Sequence, residues 1–317
     1  MKKILITGAT GFLGHFLVRE FVSDHKVVCL VRPGTKNLSR LEDVQDQVEF
    51  IEHDVRTNYD SLLNKLNDVE VILHLAGNPS AEASINDPTA VVIDNVVGTA
   101  HLLELARKLP LKRFFFYSAG EIFGPIPPGT DSNENDRYNS VSPYAASKAG
   151  GQELCVSYTN TFNVPVSIIH ITNTFGQRSQ GKRFPVITIK KLLNDEALDV
   201  HIGPDGSIGG RRWLHAANVA LHTRFILDNQ KTLCEKWNSA GNKFINNLEF
   251  AEMIAGVLGK KLKHNFIPVD RPGHDSYFSL SPDKIYNAGW VEHISMEQRL
   301  QETVDWYKQN ITWLTRE

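Results

Sequence analysis

The feature that most constrains the fold of this chain is a run of three regularly spaced glycines. Residues 6–21 read ITGATGFLGHFLVREF, so Gly8, Gly11 and Gly14 follow the apolar segment KKILI at three-residue spacing. Absent side chains let a backbone turn sharply and approach a pyrophosphate, and a helix that starts there adds its positive N-terminal end. The pattern therefore predicts a strand, a phosphate-binding turn and a helix, the first unit of a dinucleotide-binding sheet.

Apolar runs that alternate with helical stretches predict an α/β fold, namely a Rossmann-type, doubly wound parallel sheet. The predicted strands are residues 3–7, 26–31, 48–51, 69–75, 113–117 and 166–171, and the clearest predicted helices are residues 94–109 and 143–161. Runs such as FFFYS and VSIIHI lack polar alternation, as expected for parallel strands that helices cover on both faces. We assign residues 1–175, with a returning segment at about 211–235, to the dinucleotide-binding domain, and residues 176–210 and 236–317 to a smaller mixed α/β substrate lobe.

Composition and charge exclude several other classes of protein. The chain has 317 residues, of which 41% are hydrophobic, and its net charge of −2 gives no electrostatic footprint for nucleic acid or an anionic membrane. Three separated cysteines and twelve scattered histidines lack the spacing of a disulfide framework or a metal site. The sequence shows neither a signal-peptide pattern nor an uninterrupted apolar stretch of about eighteen residues. We therefore expect a cytoplasmic protein that binds no metal, nucleic acid or membrane.

The end of the second predicted strand indicates which dinucleotide binds. An acidic residue there would accept hydrogen bonds from a ribose 2′-hydroxyl, but the segment CLVRPGTKNLSRL carries Arg32, with Arg40 further along. Because a guanidinium suits a 2′-phosphate, we predict NADP(H) in preference to NAD(H). The alternatives are that NAD(H) binds or that Arg32 only faces solvent. Asp54 follows the third strand and is expected either to accept a bond from the adenine amino group or to cap a turn.

Tyr144 and Lys148 form the predicted catalytic pair. They stand four residues apart in SPYAASKAG, so on a helix both project from one face. A nearby ammonium is expected to lower the pKa of the phenol from about 10. Tyr144 would then take a proton from a sugar hydroxyl while the neighbouring carbon gives a hydride to nicotinamide. Ser118, at the end of the run FFFYS, is expected to hydrogen-bond the same oxygen.

Taken together, these motifs resemble the extended short-chain dehydrogenase/reductase family, and especially its nucleotide-sugar epimerases and dehydratases. The likeness covers nearly the whole chain and rests on GATGFLG at 8–14, HLAG at 74–77, NVVGT at 95–99, SAGEIFG at 118–124, SPYAASK at 142–148, TNTFG at 172–176, RRW at 211–213 and RPGHD at 271–275. It implies a Rossmann domain with tightly held nicotinamide, a triad of Ser118, Tyr144 and Lys148, and a homodimer packed through helices near 95–109 and 143–161.

The resemblance also implies a nucleotide-diphosphate sugar as the substrate. Asn173, Arg211 and Arg271 would help to hold its diphosphate and sugar, although the two arginines would equally suit surface salt bridges. Asn95 is expected either to bond to backbone near the active site and hold a water or to cap a helix. The predicted cofactor-binding residues are Gly8, Thr10, Gly11, Phe12, Leu13, Gly14, Arg32, Asp54, Val55, Leu75, Ala76, Gly77, Tyr144 and Lys148.

The segment after Ser118 bears on the reaction. The 4,6-dehydratases that this chain resembles carry S-T-D-E or S-T-S-E there, with the glutamate as base at C5 and the aspartate, where present, as acid at the C6 hydroxyl. Here Glu121 fits the base or a structural carboxylate, whereas Gly120 supplies no acid. We expect a nucleotide-sugar 4,6-dehydratase that oxidises C4 transiently, eliminates water and returns the hydride. The alternatives are a 4-epimerase or NADPH-dependent 4-ketoreductase, and a noncatalytic NADP-binding regulator.

Overall fold

A seven-stranded sheet forms the centre of the computed structural model, which describes residues 2–268 and 277–316. The described strands are, in chain order, β1 (Lys2–Thr7), β2 (His25–Val31), β3 (Glu49–Glu52), β4 (Val69–His74), β5 (Arg113–Ala119), β6 (Val166–Ile171), β7 (Thr174–Phe175), β8 (Leu198–Ile202), β9 (Gly210–Arg211), β10 (Leu214–His215), β11 (Cys234–Ser239), β12 (Ile245–Asn246) and β13 (His264–Pro268). The central sheet has the order β11-β6-β5-β4-β1-β2-β3, and its neighbouring strands are parallel.

Because the strand order runs outward in both directions from β1 and β4, the sheet is doubly wound, and the predicted fold class is confirmed. The described α-helices are α1 (Gly14–Phe21), α2 (Leu63–Leu66), α3 (Ala81–Asn86), α4 (Pro88–Val92), α5 (Gly98–Ala106), α6 (Pro143–Phe162), α7 (Phe184–Leu193), α8 (Ala216–Asn229), α9 (Asn247–Leu258), α10 (Asp283–Asn287) and α11 (Met296–Gln309). A π-helical turn, Ile93–Val97, joins α4 to α5 in one continuous helical run.

Helices cover both faces of the sheet, which explains why its strands lack polar alternation. In β1, Ile4 and Ile6 pack into the core beneath α1 and α8, whereas Leu5 between them packs into the opposite core beneath α5 and α6. All three side chains are fully buried. A strand with two covered faces needs consecutive apolar residues, and Ile4, Leu5 and Ile6 meet that need.

The remaining elements form a third core. Trp213 stacks on Phe250 with the ring centroids 4.4 Å apart, and α7, α9 and α11 contribute apolar side chains around this pair. Two small strand pairs, β8 with β13 and β9 with β12, lie in the same part of the chain. The proposed division into two domains stays a prediction, and β11 continues the central sheet to Ser239, past the expected end of the returning segment.

One helical run among the described residues, Pro88–Ala106, is long and apolar enough by length and composition to cross a membrane. Polar residues such as Asp94 and Asn95 interrupt it, and Asn95 is 2% exposed within the fold. Core helices of proteins outside membranes also pass a test of length and composition, so the run carries little weight as a membrane segment.

Buried histidines, of which His74, His170, His215 and His222 are four, make the stability of the fold depend on pH. Burial lowers the pKa of His170 to about 4 and the pKa values of His74, His215 and His222 to about 3. In the unfolded chain the same imidazoles titrate near pH 6.5, so the unfolded state binds more protons from about pH 6.5 down to about pH 4.

We therefore expect the free energy of unfolding to fall as the pH drops through that window, by up to about 1.4 kcal/mol per pH unit for each histidine. Urea unfolding at about pH 7.5 and about pH 5.5 measures this effect. His222→Gln should reduce the change of unfolding free energy per pH unit by the contribution of about one proton. His264→Gln, at an exposed position, should leave that change as it is in the unmodified protein. An unfolding free energy that stays constant across the window contradicts this prediction.

Candidate active site

A cavity of about 500 Å³ opens at the carboxyl ends of the central strands. In a doubly wound sheet this is where the strand order reverses and where ligands bind. All fourteen predicted cofactor-binding residues line the cavity, together with Ser118, Glu121 and Asn173. The structure thus brings together in one place residues that the sequence separates by more than a hundred positions, although their individual roles stay predictions.

The glycine turn at one end of the cavity has the geometry that a dinucleotide needs. Gly8 adopts φ +71°, a backbone conformation that disfavours side chains, and its carbonyl oxygen accepts a bond from the N–H of Gly11 at 2.9 Å. A Cβ on Gly14 would overlap that same carbonyl oxygen, so α1 can start this close to β1 only with glycine. The cradle leaves backbone and the helix N-terminus facing the cavity, which fits a pyrophosphate.

At the adenosine end of the cavity, Asp54 forms an ion pair with Arg56. The Arg56 guanidinium donates to both carboxylate oxygens of Asp54 and lowers its pKa to about 2. The charge of Arg32, which is exposed at the end of β2, lowers the same pKa further. Arg40 is not among the residues that line the cavity. Its guanidinium donates to the carbonyl oxygens of Arg178 at 2.8 Å and Thr10 at 3.2 Å.

Tyr144 and Lys148 lie on the first turns of α6, as predicted. The helix begins here because Pro143 occupies its first turn and the Ser142 hydroxyl accepts from the N–H of Ala145 at 3.2 Å. The Lys148 Nζ lies 4.5 Å from the centroid of the Phe116 ring at the end of β5. The hydroxyl oxygen of Ser118 is buried and has no hydrogen-bond partner among the described residues.

The expected lowering of the tyrosine pKa is wrong for this structure. Burial is the largest influence on Tyr144 and raises the pKa of its phenol well above 10, and the negative charge of Glu121 raises it further. Burial also lowers the pKa of Lys148 to about 8, so its ammonium loses a proton more readily than an exposed lysine does. The positive charge of Arg183 acts in the other direction and lowers the pKa of Tyr144.

Glu121 lines the cavity, whereas the position before it faces a wall of apolar side chains. A Cβ on Gly120 would meet Phe278 Cε2 at 2.9 Å and Leu280 Cδ1 at 3.2 Å. A larger side chain at 120 would therefore have to displace these neighbours. The effect of Glu121 on the pKa values of Tyr144 and Lys148 shows that its charge acts on both members of the catalytic pair.

Asn95 does not cap a helix, but it bonds to backbone beside the cavity, as the first alternative expected, and so joins the loop after β4 to α6. Its Oδ1 accepts from the N–H of Asn78 at 2.7 Å, and its Nδ2 donates to the carbonyl oxygen of Asn78 and to the Ser147 hydroxyl at 2.8 Å. Ser147 donates in turn to the carbonyl oxygen of Tyr144 at 2.7 Å. Asn95 sits in the π-helical turn, a feature often found at functional sites.

The predicted substrate-binding residues have three different outcomes. Asn173 lines the cavity just beyond β6. Arg211 is not among the lining residues, and its guanidinium lies 4.2 Å from the centroid of the Phe278 ring and donates to the carbonyl oxygen of Gly210. Arg271 lies outside the described residues.

Arg183 and Thr172 also line the cavity, and neither is among the predicted site residues. Thr172 follows β6 directly, and its hydroxyl is buried with no hydrogen-bond partner among the described residues. Its place in TNTFG gave the only available signal. Arg183 precedes α7 and belongs to no recognisable spacing, so only the fold reveals that it reaches the cavity.

Comparison with known proteins identifies the family. A model of the NAD dependent epimerase/dehydratase family matches residues 4–238, and the chain belongs to that family. A dTDP-glucose 4,6-dehydratase of Xanthomonas campestris pv. campestris is 30% identical over 99% of this chain and 95% of its own length. The resemblance inferred from the sequence is confirmed.

Solved structures agree with this assignment. DesIV, a dTDP-glucose 4,6-dehydratase from Streptomyces venezuelae that was crystallised with NAD, superposes with a TM-score of 0.87 at 26% identity and 98% coverage of both chains. A UDP-glucose 4-epimerase of Thermus thermophilus, also with NAD, shares the fold at a TM-score of 0.85 and 23% identity, covering 96% of this chain and 99% of its own.

The preference for NADP(H) is contradicted, because these similar structures hold NAD. The contacts described above explain the error. Arg40 donates to backbone carbonyls and is not placed to support Arg32. The charge of Arg32 acts on Asp54, and the ionised Asp54 would repel a 2′-phosphate. One exposed guanidinium beside a carboxylate does not make a phosphate pocket.

Replacement of Gly14 by alanine tests the glycine cradle. We expect Gly14→Ala to abolish measurable NAD binding in titration calorimetry, because the added Cβ overlaps the Gly8 carbonyl oxygen. Gly256→Ala is the matched control, since no atom lies within 4 Å of the added Cβ in α9. That variant should bind NAD normally and gain up to about 1 kcal/mol in the free energy of unfolding. Unchanged NAD affinity in Gly14→Ala would contradict a role for the glycine turn in binding NAD.

Proposed function

We propose that this protein is an NAD-dependent nucleotide-sugar 4,6-dehydratase. The observation that carries the proposal is that Tyr144, Lys148 and Glu121 line one cavity together with the glycine cradle. This set combines a phenol for a sugar hydroxyl, a carboxylate for a carbon acid and a place for a dinucleotide. The names of the similar proteins, which include dTDP-glucose 4,6-dehydratases, support the same reaction.

Tyr144 is the base for the first proton in the proposed mechanism. It takes the proton of the C4 hydroxyl, which leaves a 4-ketone once the hydride has left C4. NAD held by the glycine turn of Gly8, Gly11 and Gly14 would supply the hydride acceptor for C4 and the hydride donor for C6. Lys148 remains mostly protonated at neutral pH with its pKa of about 8, and so keeps a positive charge on the helix face that carries the phenol.

Glu121 handles the protons of the elimination step. A ketone at C4 acidifies the neighbouring C5–H, so the carboxylate can remove that proton. The same carboxyl group then delivers the proton to the C6 hydroxyl, which leaves as water. One group performing both transfers suits this site, because Phe278 and Leu280 occupy the space that a separate acid at position 120 would need. A solvent proton at C5 and the hydride at C6 complete the 4-keto-6-deoxy product, with no net redox change.

A nucleotide-sugar 4-epimerase is the second candidate, and the absent acid at Gly120 favours it. Such an enzyme oxidises C4 and returns the hydride to the opposite face of the ring. It uses Tyr144 in the same way and needs no base at C5. Glu121 is the residue on which the two candidates differ.

We also propose that the protein acts in the cytoplasm as a homodimer. Three apolar side chains on the helical run around α4 and α5, Val92, Ile93 and Val97, are 42%, 39% and 39% exposed. They support an interface there, because an unpaired apolar face of this kind gains from contact with a second copy.

Loss of the Tyr144 hydroxyl should stop the reaction without loss of the cofactor. We expect Tyr144→Phe to lower kcat about 10²–10⁴-fold, the usual contribution of a positioned proton acceptor, while NAD binding stays within about twofold. Steady-state kinetics and calorimetry measure the two effects. Tyr158→Phe, which removes a hydroxyl from the same helix where it donates to Glu104, should retain normal kcat. Normal turnover in Tyr144→Phe would exclude the phenol from the mechanism.

Glu121→Gln separates the dehydratase from the epimerase. In D₂O, a dehydratase should place deuterium at C5 of its product, and Glu121→Gln should lose that exchange together with water elimination. NMR and mass spectrometry of the product report both. Glu82→Gln, on α3, is the control and should exchange normally. A product that carries no C5 deuterium in the unmodified enzyme would favour the epimerase.

A further inference from the structure

Two arginines beside the glycine turn carry charge that no carboxylate balances within the described residues. Among the described residues, the Arg40 guanidinium donates to the carbonyl oxygens of Arg178 and Thr10, and Thr10 lies inside the turn itself. The Arg183 side chain makes neither a hydrogen bond nor an ion pair in the described part of the chain, and it is exposed at the cavity. Like charges held near each other without a counterion favour the arrival of an anion.

Arg183 faces the part of the cavity where the glycine turn lies. Its guanidinium carbon is 6.0 Å from the centroid of the Phe12 ring, and Phe12 lies between Gly11 and Gly14. Burial lowers the pKa of Arg40, and the charge of Arg183 contributes to the same lowering. Arg183 also acts on the pKa of Tyr144. Its charge is therefore felt both at the pyrophosphate turn and at the catalytic phenol.

We propose that Arg183 binds the diphosphate of the NAD cofactor beside the glycine turn. The glycine turn would offer backbone N–H groups to the diphosphate, and the guanidinium would add a forked donor next to them. The dinucleotide is favoured over the nucleotide sugar because Phe12 and Thr10, the neighbours of the two arginines, both belong to the turn. This assignment rests on the proposed use of NAD.

A retained cofactor is what the proposed reaction requires. The hydride taken from C4 must still be present when C6 receives it, so a cofactor that exchanged between the two steps would strand the sugar as an oxidised intermediate. Arg183 lies just before α7, outside the segment that forms the glycine turn, so its contact would tie a second part of the chain to the bound dinucleotide.

Calorimetric titration with NAD, and separately with dTDP on the NAD-loaded protein, tests the assignment. We expect Arg183→Gln to weaken NAD binding at least tenfold and to make that binding less dependent on salt, with dTDP affinity little changed. Arg183→Lys should recover part of the affinity because it keeps the charge but loses the fork. Lys190→Gln is the control, since it removes the same charge from α7 about 10 Å along the helix.

Unchanged NAD affinity in Arg183→Gln overturns the proposal, and so does a loss confined to dTDP, which would assign the guanidinium to the substrate's diphosphate. Thermal unfolding of the unliganded variants checks that the exposed substitution leaves the fold intact. The readout does not depend on turnover. If the unmodified protein binds NAD but converts no nucleotide sugar, the proposed reaction fails while the contact of Arg183 can still be measured.

Discussion

The close seating of α6 on the central sheet is the constraint on which the candidate site depends. A Cβ on Gly151 would meet Phe116 Cζ at 2.9 Å and the carbonyl oxygen of Asn95 at 3.0 Å, so glycine allows the helix to approach β5 and the π-helical turn together. Asn95 then bonds across to Ser147, one position before Lys148. Packing and hydrogen bonding therefore set where Tyr144 and Lys148 lie relative to the glycine turn.

The same burial that positions the catalytic pair works against its ionisation. Desolvation raises the pKa of the Tyr144 phenol and lowers that of the Lys148 ammonium, because each charged form loses contact with water. Helical spacing predicted which side chains share a face, but it carries no information about depth. Positive charge from outside the helix, including Arg183 and the nicotinamide of a bound NAD, is what would favour the tyrosinate.

Much of the fold could be predicted because its signals are local. The glycine turn, the strand VSIIHI and the helix that begins at Pro143 each follow from short-range pattern and backbone chemistry, and the structure has all three. The cavity-lining residues near those motifs were found for the same reason. The NADP(H) preference failed because Arg40 bonds to backbone carbonyls, one of them at residue 178, far along the chain. Arg183 and the clamp made by Asn95 likewise depend on contacts that only the folded chain creates.

The central claim is that one cavity oxidises a nucleotide sugar at C4 and removes water without consuming reducing equivalents. The most direct measurement is mass spectrometry of the products formed from a panel of UDP-, dTDP-, GDP- and CDP-hexoses, with no reductant added. The account predicts, from at least one of these sugars, a product one water lighter that shows 4-ketone absorbance in alkali. Products of unchanged mass from every sugar that the protein converts would contradict it.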